Sequence, residues 1–69
     1  MEDNEPKIYE VIVAKKGDTI YKNRFAALGK ANGVFKNQCL RYPYCTVVLR
    51  KTIGMQLISI LGDIKDLEE

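Results

Sequence analysis

The sequence predicts a single α+β domain of ββαββ order, in which one helix packs on one face of a four-stranded antiparallel sheet. Two β-rich segment pairs, each interrupted by a short loop that ends in glycine, flank a central segment with helical periodicity. A chain of 69 residues allows one domain and a thin core. We expect this domain over residues 7–61, between an acidic flexible N-terminal tail at 1–6 and an acidic C-terminal tail at 62–69.

The first hairpin is predicted from two segments, 8–14 and 19–24, which are rich in β-branched and aromatic side chains. A three-residue loop at 15–17 would end on a glycine, which accepts the left-handed conformation that such a loop needs. In the resulting register Glu10 faces Lys22, a favourable cross-strand charge pair.

A helix is predicted over residues 24–41, with Asn23 as its N-cap and Pro43 beyond its end. Its apolar positions recur at spacings of three and four: Phe25, Leu28, Ala31, Phe35, Cys39 and Tyr42. We expect Leu28 and Phe35 to belong to the core.

The second hairpin is predicted from strands at 44–51 and 55–61 around a loop at 52–54, with Val48 facing Ile58. The single helix covers one face of the sheet, so the aliphatic side chains on the other face would be left in water. We expect a two-fold homodimer to bury them. The predicted self-association residues are Ile12, Ile20, Val48, Ile58 and Ile60.

Charge is unevenly distributed along the chain. The net charge is +2, yet ten of the eleven basic residues lie within 7–61, and seven of the nine acidic residues lie in the two tails. A basic body of this kind attracts nucleic acid or an acidic protein face, and the alternative is a surface that Lys and Arg simply keep soluble. The candidate binding residues are Lys15, Lys16, Lys22, Arg24, Lys30, Lys36, Arg41, Arg50 and Lys51.

The composition gives little support for a catalytic site or a metal site. The chain has no His, which excludes Ser-His-Asp and Cys-His catalysis, and its body carries no clustered acids for acid–base work. Cys39 and Cys45 lack the spacing of a redox pair, and we interpret them as reduced structural thiols of a cytoplasmic protein. We expect no enzyme activity, cofactor or metal, and no membrane span.

Two segments, 21–25 and 41–44, mix basic and aromatic residues, as surfaces that bind nucleic acid do, although tyrosines also simply fill strands. The stretch Arg24-Phe25-Ala26-Ala27-Leu28-Gly29-Lys30-Ala31 resembles the strand-to-helix junction of phage integrase arm-binding domains, which bind DNA through a three-stranded sheet. This resemblance covers about a dozen residues and assigns no site residue.

The sequence therefore predicts a small non-enzymatic binding or regulatory module whose basic body contacts the nucleic-acid backbone. The alternative is a protein-binding inhibitor or adaptor of the kind that phages and mobile elements encode. Such a module would act on an acidic or apolar surface of its partner.

Overall fold

The computed structural model describes residues 6–63 and confirms the predicted fold class. The elements are β1 (Tyr9–Lys15), β2 (Asp18–Phe25), α1 (Leu28–Arg41), β3 (Thr46–Lys51) and β4 (Gln56–Leu61). The strands form one antiparallel sheet in the order β2-β1-β3-β4. Most of the two predicted tails, residues 1–5 and 64–69, lies outside the described residues.

The first hairpin turns more tightly than predicted. Lys15 pairs with Asp18, so the loop has two residues, Lys16 and Gly17, with φ angles of 51° and 86°. Positive φ at both positions is the type I′ geometry, which matches the twist of the flanking strands. This turn shifts the register by one residue from the predicted one, and a slip between Val13 and Ala14 adds a second, so Glu10 faces Arg24 instead of Lys22.

The second hairpin also departs from its predicted register. Lys51 pairs with Gln56, and the loop between them has four residues, including a 3₁₀ turn at Ile53–Met55. Together with a register slip between Leu49 and Arg50, this loop makes Val48 face Ile60 and not Ile58. In each hairpin the register slips by one residue along the strands, a β-bulge that alternation alone does not predict.

The helix begins four residues later than predicted. β2 continues to Phe25, which pairs with Tyr9, and the N-cap of α1 is Ala27, without a side-chain hydrogen bond. Asn23 is thus a strand residue and not a cap. Strand pairing overrides the capping preference of Asn23 here.

The core lies between α1 and one face of the two central strands. Its buried members are Val11, Val13, Ala31, Val47 and Leu49. Phe35 packs against them, as predicted, whereas Leu28 is 44% exposed and is not a core residue. The delayed start of α1 explains this, since Leu28 occupies its first turn.

The opposite sheet face contradicts part of the predicted self-association surface. Ile12 and Val48, on the central strands, are buried at 4% and 0% exposure, so they offer no surface to a partner. Ile58 packs against the core on the helix side. Ile20 and Ile60, both on edge strands, are exposed.

Candidate nucleic-acid interface

A buried carboxylate with three basic neighbours occupies the sheet face opposite α1. Glu10 is 1% exposed, and its Oε1 accepts a hydrogen bond of 2.9 Å from Nε of Arg50. Its Oε2 accepts one of 3.2 Å from Nε of Arg24 and lies 3.9 Å from Nζ of Lys22. We call Glu10, Lys22, Arg24 and Arg50 the Glu10 cluster.

Strand pairing brings the cluster together. Glu10 lies on β1, the strand between β2 and β3, and is paired with Arg24 on one side and Arg50 on the other. Lys22 is two residues from Arg24 on β2 and so projects from the same face. The observed register differs from the predicted one by two residues, so Glu10 has a different partner on β2. Because side chains alternate with a period of two, every side chain of this cluster still lies on the predicted face.

Electrostatics keep Glu10 ionised. Burial alone would raise the pKa of its carboxyl, but hydrogen bonds from Arg50 and Arg24, together with the charges of Arg50 and Lys22, lower the pKa below its usual value of 4.5. One negative charge and three positive charges leave the cluster with an excess of two positive charges.

The cluster is built to present cations outward. The side chains of Arg24 and Lys22 are 57% and 54% exposed, and that of Arg50 is 28% exposed. Both arginine hydrogen bonds to Glu10 use Nε, so the terminal nitrogens of each guanidinium remain to bind an oxyanion. Glu10 therefore holds two arginine forks in position without consuming their outer donors.

The remaining predicted cations are spread over the molecule. Lys15 and Lys16 lie at the β1–β2 turn, Lys36 and Arg41 are exposed on α1, and Lys51 ends β3. The structure thus brings together three of the nine candidates around Glu10.

Lys30, another candidate, lies in a second basic region next to the cluster. An open cleft of about 500 Å³ lies where β2 leads into α1, and we call it the cationic cleft. Its lining residues are Lys7, Asn23, Arg24, Phe25, Ala26, Ala27 and Lys30. Arg24 belongs to both regions. Lys7 was not predicted as a binding residue, because a single lysine ahead of the first strand belongs to no recognisable sequence pattern.

In the described part of the chain, neither the cysteines nor the acidic residues form an arrangement typical of a redox site or a metal site. Cys39 and Cys45 are free and half-buried, and burial raises the pKa of the Cys39 thiol, which disfavours the reactive thiolate. Residues 6–63 contain no group of three His, Cys, Asp or Glu side chains that could hold a metal ion. Over the same range, no helix is both long and apolar enough to cross a bilayer.

Comparison of the chain with models of known families, with characterised proteins and with solved structures finds no match in any of the three.

Proposed function

We propose that this protein is a small non-enzymatic module that binds the phosphate backbone of nucleic acid with its basic body. The observation that carries the proposal is the Glu10 cluster, in which a buried carboxylate orients Arg24 and Arg50 on one sheet face. A buried carboxylate is costly unless it is paired, and Glu10 is paired through Nε of two arginines. The terminal nitrogens that this pairing leaves on each guanidinium are suited to an anionic ligand.

Backbone contact explains this surface better than base reading does. Guanidinium groups bind phosphate oxygens through paired hydrogen bonds, and such contacts carry no sequence information. The dispersed cations, such as Lys36 and Lys15, add to the long-range field and not to a shaped site. Binding is expected to be sequence-tolerant and strongly dependent on salt, because each neutralised phosphate releases counterions.

The test is a titration of duplex and single-stranded oligonucleotides at several salt concentrations, beginning at about 50 mM. With roughly three to four phosphate contacts, the slope of log affinity against log salt should be about −3 for duplex DNA. The double variant Lys22→Gln/Arg24→Gln should flatten that slope by about two. Neutral glutamine avoids placing a second carboxylate beside Glu10, which would destabilise the sheet.

The matched control is Lys36→Gln/Arg41→Gln, which removes one lysine and one arginine from the exposed side of α1. It should reduce the slope much less than the cluster variant does. Equal effects of the two pairs would contradict a localised interface, and no binding to either oligonucleotide at low salt would reject nucleic acid as the ligand.

The second candidate function is a cytoplasmic adaptor or inhibitor that binds a protein. Leu57 and Ile60 on β4 favour it, since they are 47% and 36% exposed and pair with Arg50 and Val48 on the face of the Glu10 cluster. Such a face would fit a partner surface that is both acidic and apolar. The ratio of absorbance at 260 and 280 nm, measured before and after a high-salt wash, separates the two functions. Co-purified nucleic acid that the wash removes supports the first.

A further inference from the structure

The cationic cleft differs from the Glu10 cluster in shape and in the source of its residues. Its volume of about 500 Å³ lies within the range of small-molecule sites. Lys7 comes from the segment ahead of β1, Arg24 from β2 and Lys30 from the first turn of α1. Three separate segments thus direct a cation to one concavity.

The positive charge of this cleft is not balanced by any acidic residue among those that line it. None of its seven lining residues is acidic, and neither Lys7 nor Lys30 forms an ion pair with another residue of the described range. Arg24 is held by Glu10 through Nε, which leaves its terminal nitrogens for a ligand. The cleft is therefore a site for a compact anion with several oxygen acceptors, and phosphate has this chemistry.

Two neutral residues of the wall suit the rest of a nucleotide. Phe25 lines the cleft and is only partly buried by its packing against the core, so part of the aromatic side chain is left for a base to stack on. The Oδ1 atom of Asn23 accepts a hydrogen bond of 2.9 Å from the backbone N–H of Arg24, so its amide NH₂ group is directed elsewhere and can donate. An inorganic phosphate alone would leave most of the volume unfilled.

We propose that the cationic cleft binds the phosphate monoester of a nucleotide through Lys7, Arg24 and Lys30. This monoester is carried by a free nucleoside monophosphate or by the 5′ end of a strand. The inference goes beyond backbone binding on the sheet face, because backbone phosphates are diesters with one negative charge, whereas a monoester near neutral pH carries close to two. The proposal stands whether or not the Glu10 cluster binds a strand.

The test is an NMR titration of the ¹⁵N-labelled full chain with adenosine monophosphate, and with adenosine as the uncharged comparison. Adenosine monophosphate should shift the amide signals of Asn23, Phe25 and Lys30, and adenosine should not. The variant Lys7→Gln/Lys30→Gln should weaken binding by about tenfold, since it removes two charged donors. The control Lys15→Gln/Lys36→Gln, with the same change of charge outside the cleft, should change affinity less than about twofold.

Oligonucleotides with and without a 5′ phosphate distinguish the two carriers. A strand end is the ligand if the 5′ phosphate strengthens binding and the Lys7→Gln/Lys30→Gln variant abolishes that gain. A free nucleotide is the ligand if adenosine monophosphate binds but the 5′ phosphate does not strengthen oligonucleotide binding. Equal binding of adenosine and adenosine monophosphate, or equal effects of the two lysine pairs, would overturn the proposal. The variant Lys22→Gln/Arg50→Gln separates this site from the backbone interface: it should weaken backbone binding and leave adenosine monophosphate binding in place.

Discussion

Nε of Arg50 lies 2.9 Å from Oε1 of Glu10, although the two residues are 40 positions apart in the chain. The other carboxylate oxygen of Glu10 binds Arg24. One side chain on β1 is therefore linked to both neighbouring strands, and the same contacts that stabilise the centre of the sheet orient the cations on its surface. Stability and ligand binding should accordingly respond together to changes at Glu10.

Replacing Glu10 by glutamine should lower the free energy of unfolding by about 2 kcal/mol. The change keeps the shape of the side chain but removes the charge that accepts hydrogen bonds from two arginines, and hydrogen bonds to charged groups contribute about 1.5–3 kcal/mol each. The exposure of Arg24 and Lys22 reduces the effect, because solvent screens their charges. Urea denaturation of both proteins measures it. An unchanged midpoint would show that the carboxylate charge does not stabilise the sheet.

The pH dependence of stability should identify Glu10 as a titrating group. Because its pKa is lower in the folded protein than its usual value of 4.5, the folded state binds protons less readily than the unfolded state. Its contribution is therefore fully present above about 4.5 and is lost as the pH falls through the folded-state pKa. Thermal midpoints between about pH 7 and 2.5 should fall less steeply for Glu10→Gln than for the native chain. Parallel curves would contradict this assignment.

Strand alternation explains why the Glu10 cluster could be predicted in part. Both predicted registers were wrong by two residues over most of each hairpin, and a shift of two keeps side chains on the same face. Lys22, Arg24 and Arg50 were therefore expected on the correct face, while the partner of Glu10 was misassigned. The type I′ turn at Lys16-Gly17 and the bulge between Val13 and Ala14 together set the true register, each by one residue. Neither a positive φ at lysine nor the bulge is evident from sequence.

The wrong placement of Ile58 in the prediction has a local cause. Ile58 lies next to the register slip in β4, and a bulge redirects side chains that strict alternation would place on the other face. The cationic cleft could not be predicted for a different reason. Lys7, Arg24 and Lys30 share no segment or spacing, and their proximity follows from the point at which β2 ends and α1 begins.

Phe35→Ala should destabilise the domain by about 3 kcal/mol, at the lower end of the range for such changes because the ring is partly buried. That loss is a large fraction of the stability of a domain of this size. Leu28→Ala is the matched control on the same helix, and its 44% exposure predicts a cost below about 1 kcal/mol. Thermal unfolding compares the two, and similar midpoints for the two variants would mean that the core-facing side of α1 is misassigned.

Ile58→Lys and Ile60→Lys should have different consequences. Ile58 packs against the core, so a lysine there should cost about 2–4 kcal/mol. Ile60 is 36% exposed, and its variant should remain folded. If the protein forms the predicted homodimer through the exposed residues of β4, Ile60→Lys should convert it to a monomer in light scattering. A monomeric native chain at high concentration would remove that prediction and leave this surface to another protein.

Gly62→Ala should destabilise the protein by about 2 kcal/mol or more, whereas Gly33→Ala should stabilise it. Gly62 has a φ of +98°, and a Cβ there would lie 2.9 Å from the backbone Cα of Thr46. Left-handed backbone costs a non-glycine residue about 1–2 kcal/mol before any clash is counted. Gly33 lies inside α1 with open space around the added methyl group, so alanine should gain about 0.5–1 kcal/mol in helix propensity.

The effect at Gly62 should also reach the contact that follows it. Oγ1 of Thr46 donates a hydrogen bond to the carbonyl oxygen of Asp63 and accepts one from its backbone N–H, at 3.1 and 3.2 Å. Pushing the chain away from Thr46 should break both bonds, so amide hydrogen exchange at Asp63 should accelerate more in Gly62→Ala than the global loss of stability explains. In Gly33→Ala, exchange at Asp63 should slow or stay unchanged. Equal acceleration of all core amides in Gly62→Ala would instead show that the glycine supports global stability without holding the end of β4 against Thr46.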